Sequence, residues 1–243
     1  MNLTIDQGNS SAKVSIFDKG EIIAEARFDS MSPGSLLQFI KDYPVDAAVY
    51  SSVQQPHPEI MGLLRNNVKT FIYLDENTPM PVVIDYATPS TLGHDRIAAA
   101  IGANTYAPGK NALIIDAGTA VTLDIVTADG HFKGGNISPG LKMRFEALNN
   151  FTSRLPLVNY EGDIPDIGYD TVTAIRSGVV GGLVAEIENF IDRMAASTGG
   201  DLTVIMTGGD SHFLAGMVQR ETVVVENLLA IGLNRILSYN ENI

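Results

Sequence analysis

The chain has 243 residues, 45% of them hydrophobic, with 16 basic against 28 acidic side chains, a net charge of −12 and no cysteine. That charge repels nucleic acid and anionic membrane alike, and the missing cysteines remove disulfides, thiolate nucleophiles and cysteine-type zinc. The start MNLTID lacks the basic and apolar parts of a secretory signal, and no apolar run approaches the roughly 20 residues that span a bilayer, so a cytoplasmic protein is expected, one that holds small anions by local devices.

Three short β-type segments come first, Asn2–Asp6, Ala12–Asp18 and Glu21–Phe28, with Lys19-Gly20 as the hairpin turn between the last two. SPGSLLQFIKDY then has helical spacing, DAAVYSSV reads as a buried strand, HPEIMGLLRNN as a helix and TFIYLD as a strand. This order, βββαβαβ, predicts an α/β unit with a mixed sheet and crossover helices. An alanine-rich helix beginning near GHDRIAAAIGANTYA joins it to the rest. The second part opens on DAGTAVTLDIVTADGHF and continues with a helix from Pro139 and a long helix within Thr171–Ala196. The strand LTVIMTGG, a short helix, the strand TVVVE and a C-terminal helix from Asn227 complete it.

The two parts repeat each other: Asp6, Gly8 and Gly20 recur at a constant offset as Asp116, Gly118 and Gly130. In both, an aspartate ends an apolar strand and is followed by a glycine, a hydroxyl-bearing turn, a strand, a glycine turn and a strand. Coincidence between two ordinary hairpins is the plainer alternative. Duplication predicts two α/β halves, 1–100 and 101–243, with a boundary near residues 92–112 and a ligand cleft between them.

Each D-x-G turn supplies a glycine that lets the backbone approach a ligand, hydroxyls or an amide for phosphate oxygens, and an aspartate able to hold a cation. Lys13 either reaches a phosphate or points to solvent. MTGGD, Met206–Asp210, is a nucleotide contact or a strand-to-helix connection capped by Asp210 or Ser211. GGNISPG, Gly134–Gly140, is an anion-facing turn, a turn whose Ser138 caps the next helix, or both. Asp95 is a helix cap or first-turn acid on one reading, and a general base with Arg96 beside it for a substrate anion on the other; His94 reads as a partly exposed loop residue. No Walker A pattern, no G-x-G-x-x-G after the first strand, no G-x-S-x-G elbow and no histidine pair with metal spacing occurs.

Two D-x-G turns heading duplicated βββαβαβ halves resemble the superfamily of acetate and sugar kinases, heat-shock ATPases and actin, with its ribonuclease H-like fold. Within it, DQGNSSAK, GHDR, DAGTAVTLD, GGNISPG, TVTAIRSG and MTGGD, in this order from Asp6 to about Leu233, are similar to type III pantothenate kinase. The resemblance implies ATP-dependent phosphorylation of the primary hydroxyl of pantothenate to 4′-phosphopantothenate, the first step of coenzyme A synthesis. It also implies Mg2+, a monovalent cation (K+ or NH4+) and a homodimer. Carried over by motif, Asp6, Gln7, Gly8, Asn9, Ser10, Ser11, Ala12 and Lys13 form the first ATP phosphate loop, with Asp6 near the magnesium. Asp95 is the general base, and Gly93, His94, Asp95 and Arg96 line the pantothenate site with Tyr86 packing on the substrate. Asp116 binds the monovalent cation, Thr119 contacts ATP, and Thr171 contacts substrate close to the dimer interface. The family usually reads D-x-G-N-T, whereas here Ser10 replaces the threonine and polar Gln7 an apolar residue. The alternatives are another small-molecule kinase of the superfamily, or a catalytically silent transcriptional regulator, which should have lost Asp95 or a phosphate loop.

Overall fold

The structure is a computed structural model and describes residues 1–9 and 11–241. Its contacts divide the chain into two compact units. The first comprises Met1–Pro108, Asp129–Phe132 and the segment from Asn227; the second comprises Gly109–Ala128 and Lys133–Glu226.

In the first unit, strands β1 (Asn2–Gln7), β2 (Ala12–Asp18), β3 (Glu21–Phe28), β4 (Ala47–Ser52) and β5 (Thr70–Tyr73) form one sheet in the order β3-β2-β1-β4-β5. The β1–β2 and β2–β3 pairs are antiparallel, while β1–β4 and β4–β5 are parallel, as crossover helices require. Those helices are α1 (Pro33–Ile40), closed by a reciprocal Ser32/Ser35 capping box, and α2 (Pro58–Asn67). Leu36, Ile40, Ile60 and Leu64 pack with Leu3, Ile5, Val14 and Tyr50 into one core. The expected βββαβαβ order is therefore present, and Lys19 (φ 50°) and Gly20 (φ 91°) form the left-handed pair of a two-residue hairpin.

A short strand β6 (Val83–Ile84) and a 3₁₀ turn (Pro89–Thr91) lead into α3 (His94–Tyr106). β6 pairs in parallel with the start of β9 (His131–Pro139), Val83 opposite His131 and Ile84 opposite Phe132. The C-terminal helix α7 (Leu228–Asn240) belongs to this unit because it lies directly on α3. A β-carbon on Gly232 would stand 1.8 Å from the carbonyl oxygen of Ala98, and one on Gly102 2.1 Å from that of Leu228. The first compact unit is discontinuous, since the chain returns at its end to cover α3.

In the second unit, β11 (Val223–Val224), β10 (Thr203–Thr207), β7 (Ala112–Ala117), β8 (Ala120–Val126) and the remainder of β9 stand side by side in that order. Helices α4 (Leu141–Asn150), α5 (Thr171–Ser197) and α6 (Ser211–Met217) complete it. Ile115, Leu123, Phe145, Leu183, Ile187 and Met206 form its core. Two helices, not one, separate β9 from β10, so the second half follows the first with an insertion.

Two local expectations fail. GGNISPG is not a turn: Gly134–Pro139 belong to β9 and Gly140 is the N-cap of α4, so Ser138 does not cap that helix; the Ser138 hydroxyl accepts from Arg144 Nη2 at 2.7 Å. A strand replaces the turn because Gly135 admits a close neighbour: a β-carbon there would lie 1.9 Å from the carbonyl oxygen of Leu123. His94 is the first residue of α3, partly exposed as expected but not in a loop.

Candidate active site

Asp6 stands near the end of β1, opposite Lys13 in the β1–β2 ladder. Residues on one strand alternate between faces. Leu3 and Ile5 enter the core under α1 and α2, so Asp6 takes the other face, as do its two charged neighbours Lys13 and Asp95. Burial, and secondarily the charge of Asp95, raise the Asp6 carboxyl from 3.8 to about 6, with Lys13 opposing. Lys13 itself is exposed.

Asp95 lies in the first turn of α3, and its Oδ1 accepts from the Arg96 N–H at 2.8 Å. It is a first-turn acid and not the cap, which is Gly93 without a side-chain cap bond. The glycine has a steric reason. A β-carbon at position 93 would lie 2.4 Å from Asp95 Oδ1, so only glycine leaves room for the carboxylate to fold back over the helix start. Arg96 is buried at 6% exposure, its guanidinium carbon 5.7 Å from the Tyr86 ring centroid and 5.9 Å from that of Phe132. Tyr86 and Phe132 themselves lie 6.2 Å apart, so the segment after β6 and the start of β9 build the aromatic wall against Arg96. The structure thus brings Asp6, Tyr86, Gly93, Asp95 and Arg96 together in the first unit, with Phe132 added.

The departure at Gln7 has a local partner. Its side chain enters the α1/α2 side of the sheet, where the Tyr50 hydroxyl donates to Gln7 Oε1 and the His57 N–H donates to that hydroxyl at 3.4 Å. A polar residue is accommodated because its acceptor is satisfied. Gly8 N–H donates to the Ser11 carbonyl at 3.0 Å to close the loop; Ser10 lies outside the described residues.

In the second unit, Asp116 occupies the place in β7 that Asp6 has in β1. Gly208 of the MTGGD loop packs on it: with φ 91°, a β-carbon there would be 2.5 Å from Asp116 Oδ1 and 2.6 Å from the Ala117 carbonyl oxygen. Asp210 N–H donates to that same carbonyl at 3.0 Å. Asp116 and MTGGD therefore form one site, with Thr119 exposed beside them on its loop. Asp210 is the N-cap residue of α6 but makes no side-chain cap bond; Ser211 Oγ donates to the Gly208 carbonyl at 2.7 Å. A cavity of about 700 Å³ borders Asp210 and is lined by Lys142, Phe145, Leu157, Tyr160 and Arg176. The Tyr160 ring stacks on Phe213 with centroids 4.4 Å apart. Burial raises the Asp210 carboxyl, and a hydrogen bond with Tyr160 opposes it. Thr171 lies elsewhere in this unit, exposed as the first residue of α5, whose N-cap Asp170 accepts from Thr173 N–H at 2.7 Å.

The sequence model of type III pantothenate kinase matches residues 2–193. A type III pantothenate kinase of Phocaeicola vulgatus is 43% identical over 244 residues, with 100% of both chains covered. The chain belongs to the type III pantothenate kinase family. A Porphyromonas gingivalis member of the family is 40% identical with 98% of each chain covered.

Solved structures agree on the fold. A Campylobacter jejuni protein carrying the Baf family name superposes with a TM-score of 0.65 at 24% identity, over 99% of this chain and 100% of that one. A glucokinase from an Antarctic psychrotroph does so with 0.53 at 10%, covering 98% of each. The fold is thus that of the sugar kinases and actin-like ATPases. Tyr160 and the cavity it lines are what motif reading missed. No local signal marks them, since residues 156–160 carry no pattern and meet Asp210 only through the fold.

Proposed function

We propose that the protein transfers the γ-phosphoryl group of ATP to the primary hydroxyl of pantothenate, opening coenzyme A synthesis. The observation that supports this most is Asp95, fixed at the start of α3 by Arg96 N–H, next to Asp6 and beside a buried arginine. On this reading Asp95 accepts the hydroxyl proton as the new P–O bond forms, and Arg96 with Tyr86, Gly93 and His94 orients the acceptor. Thr171 contributes a further substrate contact. Phosphoryl transfer asks little covalent work of a protein, so positioning and charge stabilisation carry the rate.

Gly8 to Lys13 and Thr119 hold phosphates, and the cavity beside Asp210 receives the nucleoside, its volume being of the size ligand pockets have. Asp6 suits a divalent cation. It is a partly buried carboxylate whose pKa is raised because it is desolvated and faces a second carboxylate, and a cation relieves both. Among the described residues no group of three or more His, Cys, Asp or Glu could hold a metal, which matches Mg2+ bound by one or two carboxylates together with substrate phosphates. Asp116, with the Ala117 carbonyl at its side, offers oxygen ligands for a monovalent cation. When bound, the two cations supply charge neutralisation on the phosphoryl oxygens.

A second copy of the chain is the proposed partner. Phe151, Leu157, Ile167 and Tyr169 are exposed at 89, 63, 85 and 71%, a concentration of apolar surface near the N-terminus of α5. Sedimentation at twice the chain mass is the expected result. Among the described residues no helix is long and apolar enough to cross a membrane, and a cytoplasmic setting goes with this reading. The regulator reading is the weaker, because Asp95 and both D-x-G turns are in place. A panel of acceptors with labelled ATP tests the substrate: label should pass to pantothenate and not to hexoses or acetate. Preferential labelling of a sugar would assign the site to another kinase of the superfamily.

A further inference from the structure

The two D-x-G loops solve one problem by different means. In each, the carbonyl of the residue after the glycine accepts a hydrogen bond from outside the loop. In the second loop that carbonyl belongs to Thr119, and the backbone N–H of Gly140 donates to it at 3.1 Å. In the first loop it belongs to Asn9, and the donor is a side chain: Gln54 Nε2 reaches Asn9 O at 2.9 Å and Gly8 O at 3.3 Å. Both partners are carbonyl oxygens, so the amide nitrogen and not the amide oxygen must face them.

Gln54 is itself held. Ser52 Oγ accepts from the Gln54 N–H and donates to the Gln54 carbonyl, both at 3.1 Å, which ties the residue to the end of β4 next to β1. The loop borders a cavity of about 280 Å³, which Gln54 lines together with Asn9 and Ser11. A loop beside a cavity takes its shape from its hydrogen bonds.

We infer that Gln54 is a positioning residue for the first phosphate loop, the side-chain counterpart of the Gly140 N–H in the second. It acts on the loop's backbone: by holding the Gly8 and Asn9 carbonyls it keeps the loop in one shape for a phosphate. The inference rests on the kinase reading only for its effect on turnover.

The test compares wild type with Gln54→Ala, Gln54→Met, which keeps length without a donor, and Gln54→Glu, which keeps shape but can only accept. Loss of one or two solvent-accessible hydrogen bonds predicts roughly a three- to tenfold rise in KM for ATP, with kcat at saturating ATP within about twofold of wild type. KM for pantothenate should stay put. Hydrogen exchange in the metal-free, ligand-free protein should speed up in the peptide covering Gln7–Lys13 and not in the peptide covering Asp116–Val121. Unchanged exchange and unchanged KM for ATP in Gln54→Met, or an equal fall in kcat with KM unmoved, would overturn the assignment. If wild type phosphorylates no pantothenate, the kinase reading fails by itself. Gln54 is then judged on the exchange result and on direct binding of Mg-ATP, neither of which needs an acceptor.

Discussion

Gly93 and Asp95 illustrate how tightly the proposed acceptor site is set by single residues. Adding one methyl group at Gly93 places a carbon 2.4 Å from the Asp95 carboxylate, which is free to swing away, so the fold survives while the base leaves its position. Gly93→Ala should therefore keep its thermal midpoint within a few degrees and lose about tenfold or more in kcat, as misplaced general bases do. Equal kcat in this variant would show that the carboxylate's position does not matter. Asp6 yields a pH prediction. Its carboxyl holds its proton up to about 6 in the folded chain, against 3.8 ordinarily. The stability this contributes is fully present below about pH 4 and is lost as pH rises through 6. Ionised Asp6 then burdens the metal-free protein by up to about 3 kcal/mol at pH 7.5. Asp6→Asn should accordingly unfold at higher urea than wild type at pH 7.5, with the gap closing near pH 4. A variant less stable than wild type at pH 7.5 contradicts the burial argument. The residues proposed to carry the chemistry could be picked out in the sequence because D-x-G and G-x-D-R are local patterns. Gln54 and Tyr160 were not, since each acts through contacts the fold makes: Gln54 across 46 residues to Gly8, and Tyr160 on Phe213.

At the level of elements, the crossing of α3 and α7 is what holds Asp95 and Arg96 in place. Gly102 and Gly232 let the two backbones touch, so Gly232→Ala forces a carbon to within 1.8 Å of the Ala98 carbonyl oxygen, an atom that cannot rotate away. Overpacking of this kind should lower stability by about 3 kcal/mol or more. Gly62 in α2 is the counter-case: a β-carbon there has nothing within 4 Å, and Gly62→Ala should raise stability by about 0.5 to 1 kcal/mol through helix propensity. Chemical denaturation of both variants checks the contrast, and equal effects would contradict it. Elements with a clear period were readable: α1, α2, α5 and every strand from β1 to β5 lie where apolar spacing puts them. GGNISPG misled because glycine and proline suggest a turn, whereas Gly135 serves a close approach between β9 and β8. That need comes from the neighbouring strand, which local composition does not contain.

For the molecule as a whole, the repeat spaced from Asp6 to Asp116 revealed the architecture, since two such strands head two sheets of matching order. What the repeat does not carry is the return of the chain. α7 lies far along in sequence yet packs in the first unit, because the apolar face of α3 needs a cover. The acidic balance, a net −12, fits a protein that holds phosphates through local N–H groups and cations and not through a basic surface. The central claim is phosphoryl transfer to pantothenate with Asp95 as base. Its most direct measurement is the formation of 4′-phosphopantothenate from ATP and pantothenate, with Mg2+ and K+ present, by wild type and by Asp95→Asn. The account predicts product from wild type and a rate about a hundredfold lower or less from the variant. No product from wild type with K+ or NH4+, or equal rates for the two proteins, would contradict it.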